Sequence, residues 1–181
     1  MSEEQKQGSF LFDFVSIIAT ASIIVAICFM FVFRTVGVEG TSMFPTLNDK
    51  DRIILSAFNL NPERGQVVVT CQPSKVPYIE STLVKRVIAT AGQTVDIDFE
   101  RGVVYVDGEA LDEPYIYELT REPEDFHAPV TVPEGYVFVM GDNRNNSTDS
   151  RDSRVGLIRE EYILGKALFR IKPFGNFRIG Q

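Results

Sequence analysis

The chain has 181 residues, with 18 Lys and Arg against 25 Asp and Glu, a formal charge of −7. That acidic balance argues against nucleic acid as a partner, because binding phosphates needs clustered Lys and Arg. One histidine and two cysteines, Cys28 in an apolar run and Cys71 in the polar remainder, supply neither a zinc site nor a disulfide framework, so no metal or other cofactor is expected.

Residues 1–13 form a short tail containing Glu3, Glu4, Lys6 and Asp13, and residues 14–33 carry no charge at all. About 20 apolar residues in a helix span the roughly 30 Å core of a bilayer. A cleavable leader has a basic start, an apolar stretch of about 7–15 residues and small residues at its exit. Here the start is acidic and the exit reads Phe29-Met30-Phe31-Val32-Phe33-Arg34, so a retained transmembrane anchor is expected. Lys6 before the run and Arg34 after it leave the charge-asymmetry rule almost nothing to weigh, and they do not set the orientation.

Residues 35–181 hold most of the charge and are long enough to bury one core. Short β-branched runs alternate there with turn residues, without any long stretch of helical period, which predicts strands at 52–55, 66–71, 83–89, 94–98, 102–106, 136–140 and 167–171. Asp107-Gly108 between two such runs is a hairpin signal. The expected fold is mainly β, a mostly antiparallel and partly closed sheet behind a single N-terminal helix. Two stretches break the pattern. Residues 112–134 include Pro114, Pro123, Pro129 and Pro133 and read as an irregular surface excursion; residues 143–154 contain no apolar side chain.

Ser42 lies between Gly40, which permits close backbone approach, and Pro45, which fixes the chain direction after it. Phe44 and Pro45 exclude the Gly-x-Ser-x-Gly and Ser-x-x-Lys patterns, so a base must come from elsewhere. His127 sits in the proline-rich excursion with no adjacent motif, and its plain reading is a solvated loop residue. Lys85 lies within the apolar run Leu83-Val84-Lys85-Arg86-Val87, where alternation points it to the same face as Leu83 and Val87. Burial lowers a lysine from its ordinary value near 10.4 by about 3–5 units, into the range of a general base at neutral pH. A lone strand lysine more often sits at an edge, and spacing alone does not pair Lys85 with Ser42. The third feature is Gly141-Asp142-Asn143-Arg144-Asn145-Asn146-Ser147-Thr148-Asp149-Ser150-Arg151. An Asn/Asp/Ser-rich loop is ordinarily a turn, but these carboxylates and arginines suit paired supports, and the Ser147 hydroxyl suits the orientation of a neutral amine.

Together, Ser42-Met43-x-Pro45-Thr46, Lys85-Arg86-Val87 and the Gly141–Arg151 loop, in this order behind an N-terminal anchor, resemble bacterial type I signal peptidase (leader peptidase). The resemblance implies a membrane-anchored serine endopeptidase with a Ser/Lys dyad on a fold shared with LexA-like proteins, removing signal peptides from exported preproteins after small residues of Ala-x-Ala type. It implies that Ser42 is the nucleophile and Lys85 the general base, that Ser147 hydrogen-bonds the Lys85 amine, and that Asp142, Arg144, Asp149 and Arg151 hold the site. The pocket-lining positions would be Val38, Gly40, Met43, Leu47 and Val84. The implied location is the cell membrane, single-pass, with the domain on the extracytoplasmic side. The implied partners are preprotein signal peptides, the lipid bilayer and the secretion machinery.

The chain departs from enterobacterial relatives at Gly40, where those place a serine that aids the oxyanion hole, and at Gln93, where the family usually has aspartate. The short span between Lys85 and Gly141 implies a compact, Gram-positive-like form without a large accessory β-domain. A LexA-like self-cleaving repressor would need a DNA-binding domain in place of residues 1–34. A non-catalytic anchored binding module descended from the peptidase would be expected to lack Ser42, Lys85 or Ser147, and all three are present.

Overall fold

The protein's structure, a computed structural model, describes residues 3–58, 60–73 and 82–172, without the side chains of residues 3–11, 28, 29 and 31. The backbone divides into two compact units, Met1–Arg34 and Thr35–Gln181. In the first, α1 is a single helix, Glu3–Val32, in which Ile17, Ile18, Ile23, Ile24 and Val25 are exposed. Among the described residues no helix is long and apolar enough to cross a membrane. The charge-free run of the sequence continues through positions 28, 29 and 31, whose side chains lie outside that description.

After α1 come strands β1 (Phe33–Gly37), which runs into the second unit, β2 (Arg52–Ser56), β3 (Val67–Cys71), β4 (Thr82–Ala89), β5 (Thr94–Asp98), β6 (Val103–Val106), β7 (Glu109–Ala110), β8 (Val130–Thr131), β9 (Tyr136–Met140), β10 (Ile158–Arg159) and β11 (Ile163–Lys172). They form two sheets: a seven-stranded one in the order β1-β2-β11-β3-β4-β9-β10 and a four-stranded one in the order β7-β6-β5-β8. The resolved ladders are antiparallel. One sheet was expected, and two are present.

The large sheet is covered on both faces, and the valine run of β3 shows why. Alternation sends Val67 and Val69 into one cluster with Val38, Met43, Leu47, Ile53 and Leu55. It sends Val68 into another with Val87, Val137, Val139, Ile158 and Ile163. A third cluster joins the sheets: Val95, Ile97, Val104 and Val106 of the small sheet pack with Ile88, Phe126, Phe138 and Met140. Each fully buried side chain of this kind stabilises the fold by about 1.5–3 kcal/mol.

Each expected strand has a counterpart, and β5 and β9 match at both ends. The turn Asp107-Gly108 has φ of 54° and 82°, the positive pair that a tight two-residue hairpin demands, and joins β6 to β7. Three differences stand out. β11 starts at Ile163, four residues before the predicted strand, because its first half pairs with β3 and its second half with β2, and bulges shift the register. β8 and β10 are two residues long, too short to carry a periodic signal, and β1 directly follows the apolar helix that hides it in the sequence. The excursion 112–134 is not merely surface, since Thr120, Phe126 and Val132 are buried.

Candidate active site

Ser42 lies in a compact turn between β1 and β2 that is pinned from below. Val38, Met43 and Leu47 are buried in the apolar cluster under the sheet, and Val38 exchanges backbone hydrogen bonds with the returning chain at Lys50 and Asp51. Gly40 has φ of +81°, a conformation that side chains with a Cβ rarely adopt, and its N–H donates to Asp49 Oδ1 at 2.9 Å. The Phe44–Pro45 peptide is cis. The half-buried Ser42 is thus held on a short, fixed segment.

Lys85 comes from β4, an inner strand flanked by β3 and β9, where it pairs opposite Val68. It is only 3% exposed, which answers the edge-strand reading: this lysine is in the middle of the sheet. Its Nζ lies 2.6 Å from Ser42 Oγ. Chain topology therefore brings together two residues that sequence spacing leaves unrelated.

β9 then delivers the polar loop against the serine turn. A Cβ placed on Gly141 would clash with Ser147 Oγ and with the Ser42 carbonyl oxygen, so only glycine lets the strand end approach both. The Asn143 N–H donates to the Ser42 carbonyl at 3.0 Å, and the Asn143 side-chain amide donates to the Thr41 carbonyl at 3.1 Å. Asn146 adds a bond to the Thr41 hydroxyl at 3.1 Å. Asp149 organises the rest: it accepts from the Ser147 hydroxyl at 2.8 Å, from the Gly141 N–H at 3.0 Å and from Arg151 Nε at 2.9 Å. Burial pushes the Asp149 carboxyl up, yet Arg151 above all, with the Gly141 N–H and the nearby Lys85, holds it below the ordinary carboxylate value.

The other two support residues pair outside the loop. Asp142 forms a two-pronged buried ion pair with Arg86, at 2.8 Å from Nε and 2.6 Å from Nη2, and also accepts from Thr46. Arg144 pairs with Glu113, at 2.6 and 2.9 Å, donates to the Thr120 hydroxyl at 3.0 Å, and reaches the Gly141 carbonyl through Nε at 3.0 Å. Burial pushes the Arg144 guanidinium down, and Glu113 more than offsets this, leaving it above its ordinary value.

Two grooves meet at Ser42 and Lys85. One, of about 360 Å³, runs between residues 36–39 and 82–85 and is lined by Val38, Met43 and Val84 among others. The second, of about 450 Å³, is more polar and is lined by Gly40, Glu124, Asn145, Asn146 and Ser147 among others. Leu47 is fully buried in the core cluster with Val38 and Met43 and lines neither groove. His127 is exposed in its loop.

This arrangement sets a buried amine against a serine hydroxyl, and comparison with known proteins decides its family. The family described as signal peptidase, peptidase S26, matches residues 11–172. The chain belongs to the signal peptidase family. A probable signal peptidase I-1 from Synechocystis sp. is 36% identical over 172 residues, covering 91% of this chain and 84% of that protein. Signal peptidase I T from Bacillus subtilis is 39% identical over 160 residues, covering 82% of this chain and 78% of that protein. A signal peptidase I from Enterococcus faecalis, solved by crystallography, aligns with a TM-score of 0.45 at 28% identity, covering 59% of this chain and 96% of that chain. Family membership makes this chain a serine endopeptidase.

Sequence reasoning left Arg86, Glu113, Thr120, Thr46 and Asn143 without a role. Arg86 carried a signal: a second cation inside the same apolar strand requires a buried acid, and Asp142 supplies it just beyond the end of the adjacent strand β9. Glu113 and Thr120 carried none, because acids in a proline-rich stretch look like solvated surface.

Proposed function

We propose that this chain is a membrane-anchored endopeptidase that removes signal peptides from exported preproteins, cutting after small residues with Ser42 as nucleophile and Lys85 as general base. The observation that carries this reading is the 2.6 Å approach of Lys85 Nζ to Ser42 Oγ at a lysine that is almost fully buried. Burial disfavours the ammonium form, so a neutral amine is available to take the serine proton.

On this reading the Ser42 alkoxide attacks the scissile carbonyl, and the ammonium of Lys85 returns the proton to the departing amine. Water, activated by the same amine, then releases the acyl group. The Ser147 hydroxyl, whose proton goes to Asp149, has lone pairs to accept from the Lys85 amine and orient it. Because Gly40 offers no hydroxyl, backbone N–H groups at Ser42 and its neighbours are the oxyanion donors in this reading. Substrate lies extended in the groove between residues 36–39 and 82–85, pairing with the exposed backbone as an added strand. Val38, Met43 and Val84 form its apolar floor, which favours alanine-sized side chains. Leu47 supports Val38 and Met43 from behind, and Asp142, Arg144, Asp149 and Arg151 fix the loop.

The full-length protein in detergent, incubated with a preprotein carrying an Ala-x-Ala site, is expected to generate one new N-terminus directly after the second alanine, read by mass spectrometry. An intact preprotein, or a cut elsewhere, contradicts the reading.

The anchor rests on the charge-free run of residues 14–33 within α1, and the family resemblance adds the orientation: a single-pass chain with its domain on the extracytoplasmic side, near lipid and the secretion machinery. Alkaline extraction of membranes from expressing cells is expected to leave the full chain in the pellet, since an inserted helix does not depend on charge for its hold. Release into the supernatant contradicts the anchor.

A further inference from the structure

We propose that Glu113 is a positioning residue for the nucleophile, acting through Arg144 and Gly141; this rests on the Ser/Lys reading above. Glu113 belongs to the proline-rich excursion, yet its side chain is only 6% exposed. Both of its oxygens grip Arg144, and the Tyr115 hydroxyl donates to the same carboxylate at 3.1 Å. The Tyr115 ring in turn lies 3.9 Å beneath the guanidinium of Arg86, the partner of Asp142. One short segment therefore braces two of the three buried ion pairs of the site.

The line from Glu113 to the reacting atom is short and stiff. Arg144 held by Glu113 donates to the Gly141 carbonyl. Gly141 is wedged against the Ser42 carbonyl and Ser147 Oγ so closely that no Cβ fits, and Asn143, two residues on, donates to that same Ser42 carbonyl. A guanidinium that loses its bidentate acid turns toward other acceptors, and the Gly141 carbonyl it holds moves with it. That motion reaches the backbone of the nucleophile and the hydroxyl beside the base. A displacement of about 1 Å at reacting groups costs up to about 10²-fold in rate. Neither groove wall at 36–39 nor that at 82–85 contains a residue of this brace, so substrate binding is left alone.

The test measures kcat and KM for preprotein cleavage by the full chain in detergent, well below its unfolding midpoint. Glu113→Gln keeps an acceptor for Arg144 and loses the charge; it is expected to lower kcat about tenfold at unchanged KM. Glu113→Ala is expected to lower it further or to fail to fold. If Glu113→Gln also fails to fold, Tyr115→Phe, which removes one bond to the same carboxylate, is expected to lower kcat about two- to threefold at unchanged KM. A merely structural role lowers the unfolding midpoint and leaves kcat of the folded enzyme at the wild-type value, and that result in the folded variant overturns the proposal. Ser42→Ala, assayed alongside, separates the two claims. Activity in Ser42→Ala removes the Ser/Lys reading itself, whereas an inactive Ser42→Ala beside a wild-type kcat in Glu113→Gln removes only the role of Glu113.

Discussion

Ser42→Ala and Lys85→Ala are each expected to lower kcat/KM for preprotein cleavage by about 10⁴-fold or more, and the double variant by little beyond either single one. Nucleophile and base act as one unit, so removing either removes the step that both perform. Ser42→Ala deletes one hydroxyl from a turn held by Val38, Met43, Leu47 and the Asn143 bonds, and its unfolding midpoint is expected to stay close to wild type. His127→Ala, at an exposed loop position, is expected to leave activity unchanged. Assays of the four variants against one preprotein check this set. Substantial turnover by Lys85→Ala contradicts the assignment of the base, and a collapse in His127→Ala points to an imidazole base instead.

Asp142→Ala is expected to cost about 3–5 kcal/mol of stability, because it leaves the buried Arg86 guanidinium without its acid. Arg86 has 2% of its side chain exposed and Asp142 none, so water does not replace the lost partner. The bond from Arg86 Nη1 to the Gly65 carbonyl remains, but a neutral acceptor does not balance the charge. For a chain of this size the loss corresponds to a fall of roughly 6–20 °C in unfolding midpoint. Arg101→Ala, which breaks an ion pair whose arginine is largely exposed, is expected to change stability by less than about 1 kcal/mol. Thermal unfolding of both variants in detergent makes the comparison, and equal effects would show that burial does not govern these pairs.

How far the sequence reveals this molecule depends on whether a feature is local. β5, β9 and the Asp107-Gly108 turn were legible because alternation and turn chemistry are written in adjacent residues. The division into two sheets was not, since β4 and β9 bury residues on both faces and their apolar runs do not say which face meets which neighbour. Within the site, the Asp149–Arg151 pair is local and follows from the loop itself. The pairs Arg86–Asp142 and Arg144–Glu113 join distant parts of the chain. The charge pattern of residues 142–151 suggested partners inside the loop, but Asp142 and Arg144 are fully buried and bond across to β4 and to the excursion. The Ser42–Lys85 approach is equally non-local, and only the resemblance of three separated motifs pointed to it.

The central claim is that neutral Lys85 activates Ser42, and the pH dependence of kcat/KM tests it most directly. Asp149 sets the lower boundary of a clean measurement. Its carboxyl is held below its ordinary value of 3.8, so the stability it contributes is fully present above that value and is lost only as pH falls through the lower folded value. Loss of activity at neutral or mildly acidic pH therefore does not come from this support. On the Ser/Lys reading it reports protonation of the base, and the profile of Glu124→Gln, which removes the groove carboxyl that burial holds above its ordinary value, separates that group from Lys85. The expected profile rises with pH to a midpoint well below about 10.4, the ordinary lysine value, because burial at the centre of the sheet disfavours the ammonium. A midpoint near 10.4 would mean that Lys85 titrates as a solvated amine, and would contradict the account.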